Sequence, residues 1–142
     1  MNLHVLDELE LLNNCTLDTP KWSFEGRKVN AKCIKVYDGD TITCVFVPYP
    51  HCQPKSFSCR LLGYNSAEIK TTDPNEKLAG LRARDYLRSL VLNKIVTLEL
   101  GTFDKYGRIL THVYLPSGFH INADMLKSGY GQPYDGTGPK NY

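Results

Sequence analysis

The chain has 142 residues, of which 42% are apolar and 23% charged, with a formal net charge of +2 at pH 7, and this length suffices for one domain with a hydrophobic core. No apolar run approaches the roughly 20 residues of a membrane helix, and the start of the chain carries acids where a signal peptide carries bases. We therefore expect one globular domain that remains inside the cell, without membrane association or secretion.

Residues 1–27 are predicted to form an acidic N-terminal extension. The first 25 residues have five acids and one base, a net charge of −4, whereas the rest of the chain has a net charge of +6. Leu6, Leu9 and Leu12 recur at helical spacing, which indicates a short amphipathic helix. We predict that this helix packs on its own domain, with docking to a separate protein partner as the alternative. The basic remainder favours an anionic partner such as nucleic acid.

The next segment is typical of antiparallel strands, because β-branched and aromatic residues dominate it and Gly and Pro interrupt it. Three runs fit this description: VNAKCIKVY, DTITCVFV and SFSCRLL.

A helix is predicted over 71–93. Asp73 can cap its first turn, Pro74 suits the first helical position, and Glu76 stands three residues after the cap, as in a capping box.

Two further strands are predicted after this helix, in KIVTLELG and RILTHVYL, followed by a short helix in INADMLKSG. Five strands with an inserted helix indicate a small closed sheet. We therefore predict a mainly β fold with added helices (α+β), a five-stranded OB barrel with two to three helices over residues 28–142.

Charged residues interrupt the strand and loop patterns at four places: Asp38 with Asp40, then Arg60, Glu68 and Arg108. Phosphodiester hydrolysis requires neutralisation of a dianionic phosphorus centre, delivery of a water and assistance to the leaving oxygen. Two guanidinium groups, a hard cation with oxygen ligands and one carboxylate meet these needs.

These residues lie in sequence motifs that resemble those of the staphylococcal nuclease (thermonuclease) family. The matching motifs, in order, are DGDT, RLLGYNSAE, DKYGR and NADMLKSGYG, and the resemblance spans about residues 28–134. In the second motif, Glu68 follows Arg60 by eight positions, and a predicted helix separates the second motif from the third. The resemblance implies a nuclease-like OB barrel and a calcium-dependent endonuclease that cuts DNA and RNA with little sequence preference, releasing 3′-phosphate ends.

The resemblance also implies a role for each matching residue. Metal ligation falls to Asp40, to the side-chain oxygen of Asn65 and to the backbone carbonyl of Ser66. Phosphoryl binding falls to Arg60 and Arg108, and Glu68 acts as a general base or orients a water. The remaining site residues are Lys105 and Tyr106, which contact a neighbouring phosphate, and Asp38 and Thr41, which support the ligands; Asp38 could equally be only a turn residue.

One position departs from the family pattern. Asn65 stands where the family has an aspartate, so the site has lost one negative charge. An amide oxygen still binds calcium, yet affinity follows the number of charged ligands. We expect weaker calcium binding, a need for high calcium or another divalent cation, and slow cleavage.

A second function remains open at this point, namely a non-catalytic module that binds nucleic acid or protein on the same fold. Asn65 favours it, and the retention of the other charged residues argues against it. The local sequence around LLGYNSAEIK resembles intracellular eukaryotic or large-virus members of the family more than secreted bacterial ones. The expected location is accordingly cytoplasm, nucleus or virion.

Overall fold

The computed structural model describes residues 3–134, with side chains from residue 7 onward. Three helices lie in this part of the chain, α1 (Leu3–Asn13), α2 (Pro74–Val91) and α3 (Ile121–Lys127). Its seven strands are β1 (Lys28–Val36), β2 (Thr41–Phe46), β3 (Lys55–Leu61), β4 (Gly63–Asn65), β5 (Ile95–Phe103), β6 (Ile109–Tyr114) and β7 (Gln132–Tyr134).

The predicted barrel is confirmed. Five strands close in the order β1-β2-β3-β6-β5, and β1 pairs with β5 to complete the ring. The pairing of β3 with β6 is parallel and the other four pairings are antiparallel. Inward positions alternate along the strands, as Ile42, Cys44 and Phe46 show on β2.

The packed part of the chain begins before the predicted boundary at residue 28. Phe24 is buried, and its ring lies 5.5 Å from the rings of both Phe46 and Phe57. Such edge-to-face contacts stabilise a core beyond the apolar area they bury. The last part of the 1–27 extension is therefore built into the barrel.

Helix α2 begins as predicted. The side chain of Asp73 accepts hydrogen bonds from the N–H groups of Asn75 and Glu76, and Pro74 occupies the first turn. The reciprocal half of the capping box is replaced, because the carboxylate of Glu76 accepts a hydrogen bond from the Thr71 hydroxyl instead. The buried side of the helix comprises Gly80, Ala83, Leu87 and Val91.

Helix α1 forms where the leucine spacing indicated it, but the prediction that it packs on the domain is wrong for the leucines that the structure describes. Leu9 and Leu12 are 57% and 59% exposed. The side chain of Leu6 lies outside the described residues. In residues 3–134 no helix combines the length and apolar character that crossing a membrane requires.

A second sheet, which the sequence patterns did not predict, joins two short segments from distant parts of the chain. β4 and β7 pair antiparallel, with Asn65 opposite Gln132 and Gly63 opposite Tyr134. This pairing fixes the backbone that leads from β3 towards α2.

Candidate active site

The candidate site lies on the outer face of the barrel where β2 begins. Thr41 on β2 is the cross-strand partner of Arg60 on β3, and the adjacent partners Ile42 and Cys59 are fully buried in the interior. Because side chains alternate along a strand, Thr41 and Arg60 both point outward. Each is nevertheless less than 10% exposed, at 8% and 6%, so polar neighbours must enclose them.

Asp40 is at the centre of these neighbours. Its Oδ2 accepts hydrogen bonds from the N–H and the hydroxyl of Ser66, at 3.0 and 3.1 Å, and its Oδ1 accepts one from the Thr41 hydroxyl at 3.1 Å. The Nη2 of Arg60 lies 3.4 Å from Oδ2 in a buried ion pair. Four polar groups therefore surround one carboxylate.

Arg60 is held by three acceptors at once. Its Nη1 donates to the carbonyl of Leu61 at 2.7 Å, and its Nη2 donates to Oδ1 of Asn65 and faces Asp40. The guanidinium is thereby held in one orientation, and the donor fork of such a group is the geometry that matches carboxylate and phosphate oxygens.

Arg108 reaches the same place from the turn between β5 and β6. Its Nη1 donates to the Thr41 hydroxyl at 3.4 Å, while its Nε donates to Asp104 at 2.7 Å. The exposed ring of Tyr106 lies under both neighbouring cations, 5.1 Å from Nζ of Lys105 and 5.2 Å from Cζ of Arg108. Thr41 thus links Arg108 to the carboxylate that Arg60 contacts.

The turn before β2 carries a second carboxylate. Asp38 is half-buried, and its Oδ1 accepts a hydrogen bond from the N–H of Asp40. Burial, and then the charge of Asp40, raise the pKa of Asp38 to about 7. The carboxylate oxygens of Asp38 and Asp40 together form an oxygen-rich set, which is the ligand type that a hard cation such as calcium prefers.

The amide at position 65 fits that set less well. Asn65 is 1% exposed, its Oδ1 accepts from Arg60, and its Nδ2 has no hydrogen-bond partner. In this arrangement the oxygen predicted to bind metal is engaged by the guanidinium. Within the described residues, no three His, Cys, Asp or Glu side chains are grouped so as to hold a metal ion. The residues that fit a cation are thus Asp38 and Asp40, with Ser66 directly beside Asp40.

Glu68 follows this cluster by two residues and is half-buried. Its backbone is fixed by α2: a Cβ added at Gly80 would lie 2.8 Å from the carbonyl oxygen of Ala67 and 3.0 Å from that of Glu68. Gly80 therefore permits close approach of helix and loop. This close contact places Gly80 on the buried face of α2.

Two residues that sequence reasoning missed hold the turn. A Cβ at Gly39 would lie 2.6 Å from Cβ of Ser66 and 2.7 Å from Cβ of Ala83, so only glycine allows this approach. The hydroxyl of the fully buried Tyr64 donates to the carbonyl of Gly39 at 2.6 Å. The only sequence signal for either was the position of the glycine between two aspartates.

Residues 58–141 match the family model described as staphylococcal nuclease homologue, which is more than half of the chain. The chain belongs to the staphylococcal nuclease family. The predicted resemblance is thereby confirmed, and the closed barrel with three helices agrees with the fold that this family implies.

Several similar proteins carry endonuclease names. A protein named "Uncharacterized endonuclease" from Escherichia coli is 30% identical over 114 residues, covering 80% of this chain and 67% of its own length. A "Probable endonuclease LCL3" from Yarrowia lipolytica is 28% identical, covering 86% of this chain and 63% of its own length. An "Uncharacterized endonuclease" from Haemophilus influenzae is 32% identical over 75% of this chain and 53% of its own length. The chain therefore spans between about half and two thirds of these relatives.

Proposed function

We propose that this protein is a divalent-cation-dependent nuclease, with calcium as the first candidate cation, that hydrolyses phosphodiester bonds of DNA or RNA. The observation that carries the proposal is the convergence of two guanidinium groups on one buried carboxylate. Arg60 contacts Asp40 directly, and Arg108 reaches it through the Thr41 hydroxyl. The endonuclease names of relatives in the same family support the reaction class.

The two arginines bind the phosphoryl oxygens. Their donors are fixed before substrate arrives, Arg60 by Leu61 and Asn65, and Arg108 by Asp104. Because these groups need not reorganise as negative charge develops on the phosphorus centre, they stabilise the transition state more than the ground state. Lys105 and Tyr106, beside Arg108, contact an adjoining phosphate.

Asp38 and Asp40 would hold a calcium ion, which when bound would supply charge neutralisation and activate a water for attack. Within the chain, Glu68 accepts a proton from the attacking water or holds that water in line. Attack on phosphorus with departure of the 5′ oxygen leaves a 3′-phosphate and a 5′-hydroxyl. The Oδ1 of Asn65 accepts a hydrogen bond from Arg60, and the negative charge missing at this position predicts weak calcium binding.

A second function has one observation in its favour. The amide of Asn65 already satisfies Arg60, whereas its own Nδ2 has no hydrogen-bond partner. This arrangement suits a module that binds nucleic acid or protein without cutting. The proposed nuclease and this alternative share the phosphate-binding arginines but differ in whether Glu68 matters.

The discriminating experiment measures cleavage of a fluorescent DNA and a matched RNA oligonucleotide, with calcium and with chelator. We expect calcium-dependent cleavage by the wild type and a loss of about 100-fold or more in Glu68→Gln, the size typical of a general base. Glu99→Gln is the matched control, because Glu99 pairs with Lys28 at the opposite end of β1 from the site. Binding without cleavage by the wild type would establish the non-catalytic module.

A further inference from the structure

An aromatic residue lies beside Thr41 and Arg60, the outward-facing cross-strand pair of the candidate site, and extends this pair to a row of three. Val36, the last residue of β1, is the cross-strand partner of Ile42, and the next residue, Tyr37, donates its N–H to the carbonyl of Thr41 at 3.0 Å. Thr41 in turn is the partner of Arg60. Tyr37, Thr41 and Arg60 therefore lie side by side across three neighbouring strands.

The side chains of this row share one face of the sheet. Val36 and Ile42 are buried inside the barrel. Because side chains alternate, Tyr37, which follows Val36, and Thr41, which precedes Ile42, point outward. With neighbouring strands about 4.8 Å apart, the backbone of Tyr37 lies roughly 10 Å from that of Arg60. One nucleotide whose phosphate is held by Arg60 can span this separation with its base.

The ring of Tyr37 is available for contact although its backbone is fixed. Tyr37 is 51% exposed, and Nζ of Lys35 lies 5.9 Å from its ring centroid. Lys35 is also outward-facing, opposite Thr43 in the next row. An exposed aromatic ring beside a lysine is the combination that proteins use to stack a base and contact the neighbouring phosphate.

We propose that Tyr37 is a base-stacking platform for the nucleotide that adjoins the phosphate bound by Arg60, with Lys35 contacting the next phosphate. This inference rests on the proposed nucleic-acid substrate. The platform binds an unpaired base, because a ring of this kind stacks on the face of the base and not on its edge. It is separate from the predicted contact at Tyr106, which reaches the site from the turn between β5 and β6.

The test compares Tyr37→Ala and Tyr37→Phe with Tyr49→Ala as the matched control. Tyr49 is 58% exposed and lies between β2 and β3, at the end of β2 opposite the site. Affinity is measured by fluorescence anisotropy for a single-stranded decanucleotide and for the same strand with abasic residues throughout. The measurement is made in chelator, so that the oligonucleotide is not cleaved while its binding is measured. The thermal midpoint of each variant is recorded.

We expect Tyr37→Ala to weaken binding of the base-bearing strand by roughly 10-fold or more, the range of one lost stacking contact, while Tyr37→Phe stays within about 3-fold of wild type. The abasic strand should bind the Tyr37→Ala variant and the wild type equally. Equal loss for both strands, or a loss no larger than that of Tyr49→Ala, would overturn the platform. These outcomes are independent of the cleavage assay, so the platform and the nuclease proposal can fail separately.

Discussion

Removal of a single oxygen atom tests whether the DGDT turn is held by the structure around it. Tyr64 is fully buried, and its hydroxyl donates to the carbonyl of Gly39 at 2.6 Å. Gly39 stands between Asp38 and Asp40, so this hydrogen bond fixes the backbone that carries both carboxylates. The substitution Tyr64→Phe deletes the bond and leaves the aromatic ring in place.

The expected cost follows from the burial of both partners. No cavity of consequence forms, because only a hydroxyl is lost, and the free-energy change comes from the carbonyl left without this donor. Such a group costs about 1–3 kcal/mol. At roughly 3–5 °C per kcal/mol for a chain of this size, the thermal midpoint should fall by about 3–15 °C.

Urea and thermal unfolding of Tyr64→Phe measure this change, with Tyr49→Phe as the control. Tyr49 is 58% exposed, so its hydroxyl should contribute within about 0.5 kcal/mol. Cleavage by Tyr64→Phe should also need more calcium than wild type, because the two carboxylates are less well positioned. Unfolding of Tyr64→Phe at the same urea concentration as Tyr49→Phe would refute the reasoning.

Two of three other substitutions probe the same turn, and the third probes Asn65 at the end of β4. Asp38→Asn should raise the thermal midpoint in chelator at pH 8. The pKa of Asp38 is about 7 in the folded chain against an ordinary value of 3.8, so the wild type loses stability as the pH rises through this window. The gain from the substitution should therefore vanish near pH 4. Asn65→Asp should raise calcium affinity about tenfold or more in calorimetry, since it restores a charge beside the cation. Gly39→Ala should destabilise by about 1–3 kcal/mol or more, because its Cβ would overlap Ser66 and Ala83.

Each of these predictions has a contrary outcome. A stabilisation by Asp38→Asn that is equally large at pH 4 would show that charge repulsion is not its source. Unchanged calcium affinity in Asn65→Asp would place the cation away from position 65. Wild-type unfolding of Gly39→Ala in urea would show that the turn can move away from α2 at no cost.

The barrel could be predicted because its signals are local. Strand alternation, such as Ile42, Cys44 and Phe46 facing inward, depends on a period of two residues and little else. The start of α2 is equally local, since Asp73 caps N–H groups only two and three residues away. The order and spacing of the four family motifs identified the family because both can be read directly from the sequence.

The placement of α1 shows where a local signal ends. Leucine spacing predicted the helix correctly, but it could not say what the helix packs against, and Leu9 and Leu12 are exposed. Amphipathic spacing states that one face is apolar and leaves its partner undefined.

The sequence by itself therefore determined the strands, the capped helix, the family and the set of charged residues from which the site is built. Only the tertiary structure decided how those residues meet: Asn65 paired with Arg60, Tyr64 bonded to Gly39, and Tyr37 in the same row as Arg60. The reason is physical. Such contacts depend on strand register and on the close approach of segments far apart in the chain, and neither is encoded in a window of neighbouring residues.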